Sequence, residues 1–283
     1  MKKTIEKWIE EDIGFGDITT EALIPGDTLA NAKIVAKEKG IIAGSKIAKE
    51  IFQSRGLMVD VLKEEGSEVY SGETIIEIMG EAKDILSLER TALNILMRMS
   101  GIATQTHKLV KKVQKFNPKI KIAGTRKTAP GLGKFDNIAI AIGCGDTHRF
   151  CLDDMVLIKD NHIEVIGSIP KAIETVQKRV SFTKKIEIEV ENSKDAAIAS
   201  KNGVDIIMID NANPKEVKQT IEILKDFNLR ENVLIEVSGK ITNENIEEFA
   251  EAGVDIISLG SLTHSSKSLD ISLNLSLENS PDP

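Results

Sequence analysis

Two distant segments of the chain are nearly interchangeable: "NGVDIIMIDN" from Asn202 and "AGVDIISLGS" from Ala252. Each follows a stretch of helical character, and each carries a glycine just ahead of an apolar core. Similar β-rich runs recur from about Lys119 onward, as "KIKIAG", "DMVLIKD", "KKIEIEVEN" and "NVLIEVSG", with helical stretches between them. Strands separated by helices cannot pair through tight turns, so they align in parallel with the helices as crossovers. The runs are almost unbroken Ile and Val, as expected of strands covered on both faces. A parallel sheet with crossover helices is therefore the frame into which this part of the chain must fold.

The region before it is of mixed type. "MKKTIEKWIEEDIG" has helical character ending near Gly14, and "NAKIVAKEKGIIAG" and "GSEVYSGETIIEIMG" read as strands broken by glycine turns. A long helical stretch follows, "EAKDILSLERTALNILMRMSGIATQTHKLVKKVQK", with Leu86, Leu93, Leu96 and Met97 at helical spacing. That Met and Leu stripe reads as core.

Charge narrows the function classes. The 37 Lys and Arg against 44 Asp and Glu leave a net charge of −7, which argues against a general binder of nucleic acid or membrane surfaces. The two cysteines, Cys144 and Cys151, are too few and wrongly spaced for a zinc site or a disulfide framework, and read as free thiols of a reducing compartment. The opening "MKKTIEKWIE" is charged and lacks the apolar stretch of a signal peptide, and no run reaches the length of a membrane span. A cytoplasmic location is expected.

If the parallel strands close into a barrel, their C-terminal ends share one mouth, where such folds build their sites. "KIKIAG" leads to Thr125, Arg126 and Lys127, and "DMVLIKD" to Lys159 and Asp160. "KKIEIEVEN" carries Glu187, Glu189 and Glu191 on one side. "IIMID" ends in Asp210, "LIEVSGK" in Ser238, Gly239 and Lys240, and "IISLGS" in Gly260 and Ser261. The run Lys159, Asp160, Asn161, His162 directly after a strand is expected to project into the shared pocket. Three of the four histidines, His148, His162 and His264, lie near such ends.

Arg126, Lys127, Arg149 and Lys159, with His148 beside Arg149, concentrate positive charge in an acidic protein. Planar guanidinium forks match carboxylate and phosphate, so a small polyanionic ligand is expected. Glu189 and Asp210, on successive strand ends, are the carboxylates suited to Mg²⁺ or to sugar hydroxyls. Glu187 and Glu191 read as a solvated face. Gly260 and Ser261 precede a helix start whose N–H groups accept phosphate, with Ser261 also a candidate cap.

In order along the chain, "EDIGFGDITTEALIP", "ERTALNILMRMSGIAT", "GTRKTAPGL", "THRF", "MVLIKDNHI", "IEVEN", "MIDN", "EVSG" and "SLTHS" resemble the quinolinate phosphoribosyltransferase family over nearly the whole chain. The resemblance implies an α/β fold: an N-terminal α/β sandwich, residues 1–112, an incomplete TIM-like β/α barrel, residues 113–268, and a segment 269–283 returning to the first domain. It implies transfer of phosphoribosyl from phosphoribosyl pyrophosphate (PRPP) to quinolinate with decarboxylation, in the cytoplasmic synthesis of NAD. Mg²⁺ would be the cofactor. It further implies a homodimer in which the partner's Arg90 completes each site. Arg126, His148, Arg149 and Lys159 match the positions around quinolinate's carboxylates. Lys127, Lys159, Glu189 and Asp210 match those around PRPP and its metal, with Lys159, Glu189 and Asp210 as the catalytic set. Ser238, Gly239, Gly260, Ser261 and His264 match the phosphate loops.

The chain departs from the usual pattern at Gly133, Asn137, Ile138, Cys144, Thr147 and Lys240, the last standing where a glycine is usual. Three other readings keep some of these features. A molybdenum-transport-associated relative would share the fold and act on another substrate. A Schiff-base aldolase would use Lys159 as nucleophile, although its neighbours bind anions. A non-catalytic anion receptor would gain nothing from Glu189 and Asp210.

Overall fold

A computed structural model describes residues 1–277; residues 278–283, the end of the expected returning segment, lie outside the described residues. The described chain divides into two compact units, residues 1–105 with 266–277, and residues 106–265.

The first unit contains α1 (Lys2–Ile13), α2 (Ile18–Leu23), β1 (Leu29–Ala36), β2 (Gly40–Ile41), α3 (Ser45–Gln53), β3 (Met58–Val61), β4 (Glu68–Val69), β5 (Thr74–Glu81) and the first part of α4 (Ala82–Val113). The closing strand Ile271–Leu277 pairs antiparallel with β1, β1 with β5, and β5 with β3, giving a four-stranded sheet. Ile34, Ile76 and Phe52 are fully buried in this unit. On α4, Ser100 accepts the Ala43 N–H at 3.0 Å and Thr104 accepts the Ile41 N–H at 2.8 Å, so two helix hydroxyls satisfy backbone donors of the β2 segment. Gly101 allows the chain to return across the helix: a Cβ there would lie 2.0 Å from the Lys267 carbonyl oxygen.

The second unit holds β6 (Lys121–Ala123), α5 (Gly133–Ile142), β7 (Val156–Ile158), α6 (Asp160–Ile166), α7 (Ile169–Arg179), β8 (Ile186–Val190), α8 (Ser193–Lys201), β9 (Ile206–Asp210), α9 (Pro214–Asp226), β10 (Leu234–Ser238), α10 (Ile246–Glu251), β11 (Ile256–Ser258) and α11 (Ser261–His264). Its six strands pair in the order β6-β11-β10-β9-β8-β7, and every pair is parallel. Consecutive strands β7 to β11 are neighbours, and β6 closes beside β11. β6 and β7 do not pair, so the β/α barrel is incomplete, with a seam between them.

The near-repeat has a physical basis. Gly203 and Gly253 follow helices with φ of 79° and 93°, a left-handed geometry that glycine adopts without Cβ strain. Asp205 then accepts the Ile186 N–H and Asp255 the Ile235 N–H, each at 2.7 Å. Each aspartate thus satisfies a backbone donor of the strand beside its own. Along the strands, Ile188, Ile207, Val237 and Ile257 pack outward into the large apolar cluster that includes Val217, Ile221 and Leu224 of α9. Inward, Ala123, Ile206 and Ile256 form a thin apolar floor with Met155 against it. Above that floor the interior becomes polar.

No helix of the described residues is long and apolar enough to cross a membrane.

Candidate active site

Above the floor, the barrel encloses a cavity of about 370 Å³ at the C-terminal ends of its strands. Its charged lining comes from separate segments: Arg126 and Lys127 after β6, His148 and Arg149 from the loop before β7, Lys159 after β7, Glu189 on β8, Asp210 on β9 and Glu236 on β10. Ser238 and Ser258 also line it. Period-two alternation explains the selection, since 189, 208, 210, 236, 238 and 258 are the inward positions of their strands.

The seam is where the His148–Arg149 pair is mounted. Asp146 bridges the free side of β6: its N–H donates to Ile122 O at 2.7 Å, and its carbonyl accepts the Gly124 N–H at 3.0 Å. Its carboxylate accepts the His148 N–H at 2.9 Å and Lys121 Nζ at 2.8 Å. The approach requires Gly145, whose added Cβ would meet Thr106 Cγ2 at 2.6 Å. Cys144 and His148 take φ values of 67° and 53°, left-handed conformations that cost non-glycine residues free energy and are held by this framework.

The electrostatics are those of an anion site with an acidic base. Burial lowers the Arg149 pKa first, and the nearby charge of Arg126 lowers it further, against the pull of Glu187 and Glu189. Lys159 Nζ donates to Glu189 at 2.5 Å. His148 Nε2 stands 3.1 Å from Glu236 Oε2 and 3.4 Å from Glu187 Oε2. Only the Glu236 contact has hydrogen-bond geometry. Burial works against charge on His148, but the two carboxylates outweigh it and raise the pKa to about 10. Glu187 is raised to about 7 by burial, helped by Glu236, while His148 pulls the other way.

Several expectations change here. Glu187 is not on a solvated face: it is fully buried, and only Glu191 of that pair is exposed. Of the run after β7, Lys159 lines the cavity, but Asp160, Asn161 and His162 start α6 instead. His162 Nδ1 accepts the Lys159 N–H at 2.9 Å, which makes it part of the helix start. The helix expected to start at Ser261 is present as a single turn, Ser261–His264, but Gly260 is its N-cap and no side chain caps it, so Ser261 is not the cap.

The remaining candidates sit as follows. Gly239, beside Ser238, has φ of 84°, and a Cβ there would fall 2.2 Å from Asn211 Oδ1. Lys240 takes φ of 52°. A Cβ on Gly260 would lie 3.0 Å from Lys127 Cδ and 3.1 Å from His264 Cδ2, so these residues adjoin. Thr263 Oγ1 donates to Lys127 O at 2.7 Å, fixing the Arg126–Lys127 loop to α11. Arg90 is on α4 in the first unit, exposed, with Glu89 at 4.0 Å. Sequence reasoning missed Glu236. The missed signal is its position two residues before Ser238, on the same inward face of β10.

Glu189 and Asp210 offer oxygen donors of the kind hard cations take. Neither belongs to a group of three His, Cys, Asp or Glu ligands among the described residues. They suit an ion that arrives with oxygens of its own, as one carried by a pyrophosphate does.

An incomplete β/α barrel whose mouth gathers two guanidiniums, two lysines and an imidazole opposite three carboxylates defines a protein built to hold a small polyanion. The sequence matches the family patterns "Quinolinate phosphoribosyl transferase, C-terminal domain" over residues 102–274 and "Quinolinate phosphoribosyl transferase, N-terminal domain" over residues 17–100. The chain belongs to the quinolinate phosphoribosyl transferase family. It is 45% identical over 275 residues to the probable nicotinate-nucleotide pyrophosphorylase [carboxylating] of Methanothermobacter thermautotrophicus, covering 97% of this chain and 99% of that one. It is 35% identical to the nicotinate-nucleotide pyrophosphorylase [carboxylating] of Rattus norvegicus, covering 96% and 89%. The crystal structure of NadC from Streptococcus pyogenes superposes with a TM-score of 0.90 at 35% identity, covering 98% of each chain.

Proposed function

We propose that the protein transfers the phosphoribosyl group of PRPP to quinolinate and decarboxylates the adduct, yielding nicotinate mononucleotide, pyrophosphate and CO₂. The observation that carries this reading is the convergence of Arg126, His148, Arg149 and Lys159 on one cavity that also holds Glu189 and Asp210. A pyridine with two adjacent carboxylates is the kind of dianion that relieves the mutual repulsion of Arg126 and Arg149.

The quinolinate nitrogen is a weak nucleophile, so positioning is the main task of the site. Cations on both carboxylates turn a collision into an oriented attack on ribose C1. The N–C1 bond forms as the C1–O bond to pyrophosphate breaks. The transition state has oxocarbenium character, which Glu189 and Asp210 stabilise while holding ribose hydroxyls. Once alkylated, the ring nitrogen is positive. The C2–carboxylate bond then breaks, CO₂ leaves, and the electron pair on C2 is stabilised by that nitrogen until a proton arrives. No base is needed to start this sequence. Lys159 acts as an electrostatic clamp, with Glu189 as its counter-ion. Lys127, Ser238, Gly239, Gly260, Ser261 and His264 are assigned to the phosphates of PRPP. Glu189 and Asp210 would hold Mg²⁺, directly or through water, and the ion would supply charge stabilisation for the departing pyrophosphate.

We further propose a cytoplasmic homodimer in which the partner's Arg90 reaches quinolinate. The first test is product analysis with quinolinate, PRPP and Mg²⁺. Nicotinate mononucleotide and CO₂ in equal amounts are expected, and absence of both would overturn the reading.

A further inference from the structure

The reaction as drawn leaves two carboxylates without a task. Glu187 and Glu236 are fully buried at inward positions of β8 and β10, on either side of β9. A buried carboxylate is costly unless paired. Yet both oxygens of Glu187 and Oε1 of Glu236 lack a hydrogen-bond partner. Glu236 Oε2 is occupied, and its partner is His148 Nε2 at 3.1 Å. The imidazole is held from its other end as well, because the His148 backbone has φ of 53° and its N–H is tied to Asp146.

The geometry points to Glu236, with Glu187 behind the same ring, as a positioning residue that grips His148 Nε2 and presents the imidazole as a charged donor to a substrate carboxylate. This inference rests on the quinolinate reading. The other charged groups around the cavity cannot do this work. Arg126, Arg149 and Lys159 disfavour a further positive charge nearby. Glu189 is engaged by Lys159 at 2.5 Å. Asp146 acts on His148 only from the backbone side, accepting its N–H at 2.9 Å while Lys121 takes the other oxygen at 2.8 Å, and Asp210 accepts from Asn211 Nδ2 at 2.6 Å. Glu187 and Glu236 remain, and burial strengthens their field at the ring. With Nε2 committed, Nδ1–H is the donor left for the cavity, and the fixed ring loses little freedom when it binds.

The test compares wild type with Glu236→Gln and Glu187→Gln by steady-state kinetics from pH 6 to 9. In Glu236→Gln, KM for quinolinate should rise about tenfold or more near pH 8, the effect of losing one charge-assisted hydrogen bond. At saturating quinolinate kcat should change little, and KM for PRPP should not move. The defect should shrink toward pH 6, where an ordinary imidazole of pKa about 6.5 regains its proton. Glu187→Gln should show a weaker form of the same profile. A merely structural role would lower thermal stability without creating this pH-dependent split. Should the variants fail to fold, NMR titration of the four histidines in wild type decides, with His148 assigned by its loss in His148→Gln. His148 should stay cationic through pH 8. Titration near 6.5, or a Glu236→Gln profile parallel to wild type, would overturn the inference. Absence of wild-type product would instead count against the proposed reaction, while the NMR titration would still decide the state of the ring.

Discussion

Arg126 and Arg149 come from different loops, and the charge of Arg126 still helps lower the Arg149 pKa. Removing one should therefore harm quinolinate use more than it harms the fold. Arg126→Ala is expected to lower kcat/KM for quinolinate by roughly 10- to 150-fold, from a charged hydrogen bond worth about 1.5–3 kcal/mol. Steady-state kinetics check this, and activity near wild type would remove Arg126 from the site. Lys240→Gly places the usual residue at a φ of 52°. It should change KM for PRPP, whereas an unchanged value makes Lys240 a bystander. Lys159, Asp210 and Ser238 were legible because each stands where an apolar run stops, whereas Glu189 sits inside the alternation of "IEIEV". Glu187 and Glu236 were not. "IEIEV" has the alternation of a half-exposed strand, and nothing within the strand tells a solvated face from the inside of a barrel. Likewise, His162 after a strand looks like a pocket residue until its ring is seen accepting the Lys159 N–H.

Helices and strands follow local rules that were mostly readable. The parallel frame followed from β-rich runs alternating with helical stretches, and the glycine and aspartate of each near-repeat mark a helix stop and a strand start. Two short elements escaped: β3, with only four residues, "MVDV", and α3, although its Ile47, Ala48, Ile51 and Phe52 stand at helical spacing on one buried face. The start of α9 shows a device that is readable in hindsight. Asn213 accepts the N–H groups of Lys215 and Glu216 at 3.0 and 3.1 Å, Glu216 accepts the Asn213 N–H at 2.8 Å, and Pro214 occupies the first turn. Asn213→Ala should cost about 1 kcal/mol of stability, measurable by denaturant unfolding. Gly101→Ala should cost more, about 1–3 kcal/mol, because backbone rather than a flexible side chain blocks the new methyl group. An unperturbed Gly101→Ala protein would mean that residues 267 and 268 can move off α4.

At the scale of the molecule, the buried imidazole and carboxylates set how stability varies with pH. His148 has a folded pKa of about 10 against an ordinary 6.5, so its stabilisation is complete below 6.5 and is lost as pH rises through 10. Glu187 has a folded pKa of about 7 against 4.5, so its ionisation costs stability as pH rises from 4.5 through 7. Both slopes have the same sign. The thermal midpoint should fall between pH 5 and pH 10, and His148→Gln should flatten the upper part of that fall. The proposed dimer makes a separate prediction. Mixing the impaired Arg90→Ala and Arg126→Ala chains should raise activity toward about a quarter of wild type, since half the random dimers carry one intact site. No recovery on mixing would place each site within one chain. The seam between β6 and β7 has its own outcome. There the wall is a single peptide bridge at Asp146 rather than a ladder of strand bonds. Amide protons along that border should exchange with deuterated solvent sooner than those of β9 and β10, which would hang the imidazole of His148 and the guanidinium of Arg149 from the most readily opened part of the barrel.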